Sequence, residues 1–115
     1  MSVTIYGIKN CDTMKKARAW LDNAGQAYAF HDYKTAGIDR AQLEGWARKV
    51  GWETLLNRSG TTFRKLPDAD KAGLTAEKAI ALMLAQPSMI KRPVLELSND
   101  KLLVGFKPAK YESNL

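Results

Sequence analysis

The sequence predicts an α/β fold with a mixed β-sheet, in the element order β-α-β, a helical block, then β-β-α. Residues 2–6 and 28–33 have the pattern of strands, and the segment between them has helical apolar spacing. Residues 35–90 show helical patterns only, and strand signals return at 94–97 and 102–106. Two strands joined by one helix are parallel, whereas two strands joined by a tight turn are antiparallel. The sheet should therefore contain both arrangements.

The N-terminal elements are predicted to form a β-α-β unit. The first strand, SVTIY, is β-branched and alternating, and Gly7 ends it. A helix is predicted over residues 12–25, with Gly25 as its stop. Its apolar positions recur at helical spacing: Met14, Ala17, Trp20, Leu21 and Ala24. The aromatic run YAFHDY then forms the second strand, parallel to the first.

The middle of the chain, residues 35–90, is predicted to be a helical insertion within a single domain of residues 1–115, because no linker bounds it. One helix follows Asp39, a candidate N-cap, and a short helix is predicted over residues 52–58. Another follows Thr75 and is closed by Pro87. The apolar positions of the two longer helices are Leu43, Trp46, Ala47 and Val50, then Ala76, Ala79, Ile80, Met83 and Leu84. Trp20, Trp46 and Trp52 are interpreted as core anchors.

The C-terminal part is predicted to be a β-hairpin followed by a helix. Its two strands, VLEL and LLVGF, are separated by the polar turn Ser98-Asn99-Asp100. Pro108 suits the first position of a short C-terminal helix.

Composition narrows the classes of function. The 115 residues carry a formal net charge of +6, but their basic residues come in ones and twos and form no long run. We therefore expect no nucleic-acid partner. No apolar stretch is long enough for a membrane span, and no signal peptide is recognisable, so the cytoplasm is the expected compartment. No His, Cys or carboxylate cluster has metal-ligand spacing, so neither a metal nor a tightly bound cofactor is expected.

Cys11 is the only cysteine, and it lies in the loop between the first strand and the first helix. Backbone N–H groups at a helix start stabilise a thiolate, and Lys9, Lys15 and Lys16 lie close in sequence. The Asp12 carboxylate would destabilise the Cys11 thiolate. The alternative interpretation is that Cys11 is a small buried residue that takes part in no reaction. Because Met14 occupies the second position of a C-x-x-C spacing, a reactive Cys11 needs an external thiol to complete a redox cycle.

Two other features have both a structural and a functional interpretation. Pro93, just before the third strand, could be a simple strand entry or a cis proline that fixes a turn. His31 is the only histidine and lies in the second predicted strand. A strand histidine paired with a neighbour is the favoured interpretation of His31, ahead of a catalytic base.

Four strings, YGIKNCDTMKKA, FHDYK, LLNRSGTTFRKL and PSMIKRPVLE, together with the hairpin ending in FKP, resemble the ArsC (arsenate reductase-related) family of the thioredoxin superfamily. The resemblance extends over nearly the whole chain and is greatest to the YffB-type subgroup. It implies a thioredoxin-like mixed sheet and a cis peptide bond before Pro93.

The resemblance also implies roles for individual residues. Cys11 matches the nucleophile, and Arg92 matches the arginine before the cis proline. Lys107 stands where the family has a third anion-binding arginine, and the arginine after the Leu-Leu pair falls at Asn57 or, one step later, at Arg58. Catalytic candidates are thus Cys11, Arg92, Arg58 and Lys107; candidate contacts for glutathione are Lys9, Asn10, Arg64, Arg92 and Pro93.

The function implied is a glutathione-dependent thiol reductase or thiol–disulfide exchange enzyme. Its partners would be glutathione as cosubstrate, a small anionic or disulfide substrate, and glutaredoxin. One alternative is an arsenate reductase proper, which two residues disfavour. Lys107 lacks the planar guanidinium with which an arginine binds an oxyanion through two hydrogen bonds, and the Asp12 carboxylate would repel the oxyanion. The other is a regulatory module similar to Spx, a regulator that contacts RNA polymerase and commonly has the C-x-x-C switch that Met14 removes here.

Overall fold

The computed structural model describes residues 3–115 and contains four strands and eight helices in that range. Ser2, predicted to begin the first strand, lies outside the described residues. The strands are β1 (Thr4–Gly7), β2 (Ala29–Asp32), β3 (Val94–Glu96) and β4 (Leu102–Val104). The helices are α1 (Asp12–Asn23), α2 (Tyr33–Ala36), α3 (Arg40–Val50), α4 (Trp52–Leu55), α5 (Thr61–Arg64), α6 (Asp68–Lys71), α7 (Ala76–Ala85) and α8 (Pro108–Asn114).

The chain divides into two compact units. One unit contains the residues up to Ala36 together with Arg92–Leu115, and the other is Gly37–Lys91. The boundaries of the second unit are within two residues of those predicted for the helical insertion, residues 35–90. The first unit contains all four strands with α1, α2 and α8, and the second contains α3 to α7 with a 3-10 turn at Pro87–Met89.

The first unit is built on a four-stranded sheet in the order β2-β1-β3-β4. Strands β1 and β2 are parallel, whereas β3 pairs antiparallel with both β1 and β4. The α/β class and the mixed, thioredoxin-like sheet predicted from the sequence are therefore confirmed. The register pairs Gly7 with Asp32 across β1 and β2, and Val94 with both Tyr6 and Val104.

Residues from α1, α8 and one face of the sheet form the core of this unit. The buried members of this core are Val3, Ile5, Met14, Ala17, Leu21, Leu95, Leu97 and Tyr111. The Tyr111 ring makes edge-to-face contacts with Trp20 and Phe106, with ring centroids 5.5 and 4.9 Å apart. These contacts anchor α8, which begins with Pro108 in its first turn as predicted.

Several elements end earlier than predicted, each for a local reason. Helix α1 stops at Asn23 because Gly25 adopts φ +70°, and its N–H and that of the next residue bond back to Asp22 and Leu21. Strand β4 stops at Val104 because Gly105, at φ +82°, turns the chain.

The second strand was predicted to run from residue 28 to residue 33, but β2 includes only Ala29–Asp32. The Asp32 carboxylate accepts a hydrogen bond from the Lys34 N–H at 2.9 Å, and this local bond favours a turn over further strand. Tyr33 therefore begins α2, a helix that the sequence pattern did not predict.

The helical unit packs α3 and α7 through buried side chains. Its buried apolar residues are Leu43, Trp46, Leu55, Leu56, Phe63, Ala79, Ile80, Met83, Met89 and Ile90. Of the three tryptophans interpreted as anchors, Trp46 is fully buried, while Trp20 and Trp52 are half-buried. Thr75 caps α7 by accepting the Lys78 N–H, whereas Asp39 occupies the cap position of α3 without a side-chain cap bond.

The short helix predicted over residues 52–58 is shorter in the structure. Helix α4 ends at Leu55 because Leu56 is extended and forms an isolated antiparallel bridge with Ile90. The Asn57 N–H bonds to the Met89 carbonyl at 2.8 Å, next to this bridge. The single-turn helices α5 and α6 were not predicted.

Within residues 3–115, no helix combines the length and the apolar character that crossing a bilayer requires.

Candidate functional site

The topology brings three chain segments to one edge of the sheet. Strands β1 and β2 are parallel, so the loop after β1 and the start of α2 lie at the same edge. Strand β3 is antiparallel to β1, so the residues that precede it, Arg92 and Pro93, lie at this edge as well. Carboxyl ends of parallel strands are where open α/β sheets place their sites. Cys11, Tyr33 and Arg92 meet here.

Cys11 is the N-cap residue of α1, with extended backbone angles of φ −124° and ψ 129°. Its side chain is half-buried against the sheet–helix core. The sulfur makes no cap hydrogen bond of standard geometry, but the N–H groups of Met14 and Thr13 point to it. A partly accessible thiol at a helix start is the environment in which cysteines react as thiolates.

The pKa of the Cys11 thiol is lower than its ordinary value. Burial raises this pKa, but three groups together outweigh burial: the Met14 N–H, the Arg92 guanidinium and the Thr13 N–H, which all stabilise the thiolate. Arg92 acts both through a hydrogen bond and through its charge. The predicted stabilisation by helix amides is thus present, while the cation responsible is Arg92.

Lys9, Lys15 and Lys16 were expected to stabilise the thiolate as well, but none of them is among the groups that lower the pKa of the Cys11 thiol. All three side chains are exposed, and Arg92 is the main cation acting on the sulfur. A lysine near in sequence can extend into water, whereas Arg92 is half-buried and held in contact with the thiol. Asp12 is also exposed.

Arg92 has a second partner, Tyr33. The guanidinium donates a hydrogen bond to the Tyr33 phenol oxygen, and Tyr33 is fully buried. The Arg92–Pro93 peptide bond is cis, as the resemblance implied, and the Pro93 carbonyl accepts the Gly105 N–H at 2.8 Å. This bond ties the segment before β3 to the turn after β4.

The loop before Cys11 is held by Asp32. One carboxylate oxygen of Asp32 accepts the Lys9 N–H at 3.3 Å, and the other accepts the Lys34 N–H at 2.9 Å. A single side chain therefore links the Cys11 loop to the first turn of α2. The backbone of Lys9 takes part in this link, whereas its side chain and that of Asn10 are exposed.

Met14 faces away from solvent and cannot take the place of a second thiol. Its side chain is fully buried and packs on Gly7, where an added Cβ would lie 2.2 Å from the Met14 sulfur. Met14 is thus a core residue, as the sequence suggested.

Lys107 is the N-cap residue of α8 and lies two residues beyond Gly105 at the same sheet edge. Its side chain is exposed and, within the described part of the chain, makes no hydrogen bond or ion pair. Its assignment as an anion-binding residue stays a prediction.

Asn57, Arg58 and Arg64 belong to the helical unit. The Asn57 side chain accepts a hydrogen bond from Ser59 at 3.0 Å and packs on Gly60, so it shapes the turn. Arg58 and Arg64 are exposed, and the Arg58 guanidinium lies 5.9 Å from the centroid of the Trp52 ring. Of the two residues left open by the sequence, Arg58 is the one with an exposed charge, and its role stays a prediction.

His31 lies in β2 with its ring 5.1 Å from the ring of Tyr6, whose hydroxyl donates to Glu96 at 3.1 Å. These contacts agree with the structural interpretation of His31. Among the side chains of residues 3–115, no group of three or more His, Cys, Asp or Glu is placed to hold a metal ion.

Tyr33 is the site residue that the sequence analysis missed. It was counted as the last residue of the second predicted strand and was given no role in the site. The available signal was topological, because the residue that follows β2 must lie beside the loop that follows a parallel β1.

Comparisons with known proteins agree with this architecture. The model of the ArsC family matches residues 6–114. A solved structure named YffB protein is 63% identical, with 99% of each chain covered and a TM-score of 0.96. The solution structure of an arsenate reductase (ArsC) related protein from Brucella melitensis is 61% identical, covers 99% of this chain and 94% of its own, and has a TM-score of 0.79.

A more distant relative is the global transcriptional regulator Spx of Streptococcus mutans. It is 28% identical over 106 residues, which are 90% of this chain and 76% of the regulator. The family match extends from β1 to the last residue of α8 and includes both Cys11 and Arg92. The chain belongs to the ArsC family.

Proposed function

We propose that this protein is a thiol oxidoreductase that reduces mixed disulfides at the expense of glutathione, with Cys11 as its nucleophile. The main support is the contact between the Cys11 thiol and the Arg92 guanidinium, at a helix start whose amides also face the sulfur. A thiolate is the nucleophile in disulfide exchange, and a lowered pKa increases its population near neutral pH.

The reaction needs one protein thiol and two exchange steps. The Cys11 thiolate attacks the glutathione sulfur of a mixed disulfide, so a Cys11–glutathione disulfide forms and the substrate leaves as a thiolate that takes a proton from water. The thiolate of a second glutathione then attacks the glutathione sulfur of this intermediate. Glutathione disulfide forms and the Cys11 thiolate is regenerated. The substrate is released as a thiol, and its glutathionyl group and one free glutathione end as glutathione disulfide.

Charge near the thiol favours an anionic cosubstrate. Glutathione carries two carboxylates, and the candidates to bind them are Arg92 and Lys107 at this edge of the sheet and, from the sequence, Arg58 or Arg64. The backbone beside Pro93 is a candidate for pairing with the glutathione peptide, with Lys9 and Asn10 as flanking contacts. Glutaredoxin would be an alternative source of the resolving thiol. We assign the reaction to the cytoplasm, where glutathione keeps thiols reduced.

The direct test is turnover of a mixed disulfide of glutathione and a small thiol, followed by formation of glutathione disulfide. The unaltered protein should accelerate the exchange, and Cys11→Ser should abolish the acceleration. Alkylation of Cys11, the only thiol of the chain, should have the same effect without a sequence change. Equal turnover by the serine variant would refute the proposal.

The relative Spx favours a second candidate, a regulatory module. In this chain Met14 replaces the second cysteine of a C-x-x-C switch and is fully buried, so an internal disulfide switch is absent. The test is capture of RNA polymerase from lysate by the unaltered protein and by Cys11→Ser. Equal retention by both forms, without exchange activity, would favour regulation over catalysis.

Arsenate reduction is the narrower enzymatic alternative, favoured by the arsenate reductase-related structure from Brucella melitensis. Lys107 carries a point charge and, unlike an arginine, cannot bind an oxyanion through two parallel hydrogen bonds. We expect arsenate-dependent oxidation of glutathione to be much slower than disulfide exchange by the same protein. The reverse order of rates would make arsenate the substrate.

A further inference from the structure

Tyr33 is a buried polar residue that takes no part in the steps of the proposed reaction. It is the first residue of α2, it directly follows β2, and none of its surface is exposed. A buried tyrosine hydroxyl usually needs a hydrogen-bond partner. Here the partner is Arg92, the same guanidinium that contacts the Cys11 thiol.

The chemistry of the guanidinium allows it to serve both partners at once. It presents five N–H donors in a rigid plane, so hydrogen bonds to two acceptors fix its orientation. The phenol oxygen of Tyr33 and the sulfur of Cys11 are those two acceptors. Without the phenol, the half-buried arginine would keep the flexibility of its long side chain.

The protonation state of Tyr33 matters for this arrangement. Burial raises the pKa of Tyr33, and the negative charges of the nearby Cys11 thiolate and Asp32 carboxylate raise it as well, while Arg92 lowers it. The net effect is upward, so the phenol is neutral at physiological pH. A neutral acceptor orients Arg92 without cancelling its charge, and the full positive charge remains available to the thiolate.

We propose that Tyr33 is a positioning residue that holds the Arg92 guanidinium against the Cys11 sulfur. The proposal rests on the proposed function only for the importance of the thiolate in turnover. The interaction among Tyr33, Arg92 and Cys11 is testable whether or not glutathione is the cosubstrate.

The test is the pKa of the Cys11 thiol in Tyr33→Phe, measured by ultraviolet absorbance of the thiolate and by the pH dependence of alkylation. The matched control is Tyr111→Phe, because Tyr111 is also fully buried and its hydroxyl has no hydrogen-bond partner within residues 3–115. We expect the thiol pKa to rise by about half a unit to one unit in Tyr33→Phe. It should stay at the unaltered value in Tyr111→Phe.

A double-variant cycle separates positioning from a general loss of structure. If Tyr33 acts through Arg92, Tyr33→Phe should change the thiol pKa in the unaltered protein but not in an Arg92→Met background. An equal change in both backgrounds would overturn the proposal. Thermal unfolding of each variant reports whether the fold is retained.

Two further outcomes would also overturn it. An unchanged thiol pKa in Tyr33→Phe would mean that the phenol serves packing alone. A lowered pKa would mean that Tyr33 competes with the thiolate for Arg92. In the disulfide-exchange assay, we expect Tyr33→Phe to lower kcat/KM at neutral pH by several-fold, and a pH above the raised thiol pKa should restore it. If no exchange activity exists in any form, the proposed function fails while the pKa measurement still decides the role of Tyr33.

Discussion

The charge of one sulfur atom results from opposing local effects. Burial of Cys11 acts against ionisation, while two helix amides and the Arg92 guanidinium act for it, and the second set prevails. Because the thiol is only half-buried, water moderates each of these effects. The arginine is the one contributor that a substitution can remove without disturbing the backbone.

Replacement of Arg92 should raise the thiol pKa in graded steps. Arg92→Met removes both the charge and the hydrogen bond, so we expect the larger rise, of about one unit or more. Arg92→Lys keeps a charge but loses the planar fork and should give an intermediate value. Ultraviolet titration of the thiolate measures both.

Arg18→Met is the matched control, since the Arg18 guanidinium lies 4.4 Å from the centroid of the Phe30 ring and bonds to Tyr28. This variant should leave the thiol pKa unchanged. An equal rise in Arg18→Met and Arg92→Met would show that net charge, and not the specific contact, controls the thiol.

The lowered thiol pKa also predicts how stability depends on pH. In the unfolded chain Cys11 has the ordinary thiol pKa of about 8.5, and in the folded chain the pKa is lower. Between these two values the unfolded state binds more protons, so the free energy of unfolding should rise with pH across that window. Below the folded pKa this contribution is absent.

Urea unfolding at a series of pH values measures this dependence. The unaltered protein should gain stability through the window relative to Cys11→Ser, which has no thiol to ionise. Parallel curves for the two proteins would contradict a lowered pKa.

At the scale of elements, β1 and α1 meet through a close approach of Gly7 and Met14. An added Cβ at Gly7 would lie 2.2 and 2.6 Å from the sulfur and the terminal carbon of Met14. Gly7→Ala should therefore force Met14 to move within the core and destabilise the protein by about 1–3 kcal/mol. The control is Gly45→Ala in α3, where an added Cβ has no atom within 4 Å.

The control substitution, Gly45→Ala, should change the free energy of unfolding in the opposite direction. Alanine in a helix interior is favoured over glycine, so Gly45→Ala should stabilise the protein by about 0.5–1 kcal/mol. Urea unfolding of the two variants provides the comparison. A neutral Gly7→Ala would mean that Met14 does not depend on this contact.

The elements that could be predicted are those with several turns or a clear alternation. The apolar spacing indicated α1, α3 and α7, and the turn residues indicated the hairpin of β3 and β4. Four-residue helices such as α2 and α5 contain too few positions for a periodic signal. The ends of elements depended on single residues, such as the positive φ of Gly25 and Gly105, which apolar spacing does not show.

At the scale of the whole molecule, the site depends on which strands become neighbours. Residues 11, 33 and 92 are far apart in the sequence and meet because β1 pairs with both β2 and β3. The local pattern around Cys11 predicted a reactive thiol, and the family resemblance predicted Arg92 and the cis bond before Pro93. Neither predicted Tyr33, because its contact with Arg92 exists only once the sheet is assembled.

The single cysteine and the net positive charge of the molecule both favour an external anionic thiol as its partner. The chain has one cysteine, and its net charge of +6 suits an anionic partner such as glutathione. Two of the candidate contacts, Arg92 and Lys107, are distant in the sequence and lie at the same edge of the sheet, so binding by both would depend on the assembled sheet.

The most direct test of the central claim is titration of the Cys11 thiolate in the unaltered protein, by ultraviolet absorbance, in the folded state and in concentrated urea. We expect a folded-state pKa clearly below the value in urea, and we expect this difference to disappear in Arg92→Met. Equal pKa values in the two states, or a higher value in the folded state, would show that the fold does not stabilise the thiolate.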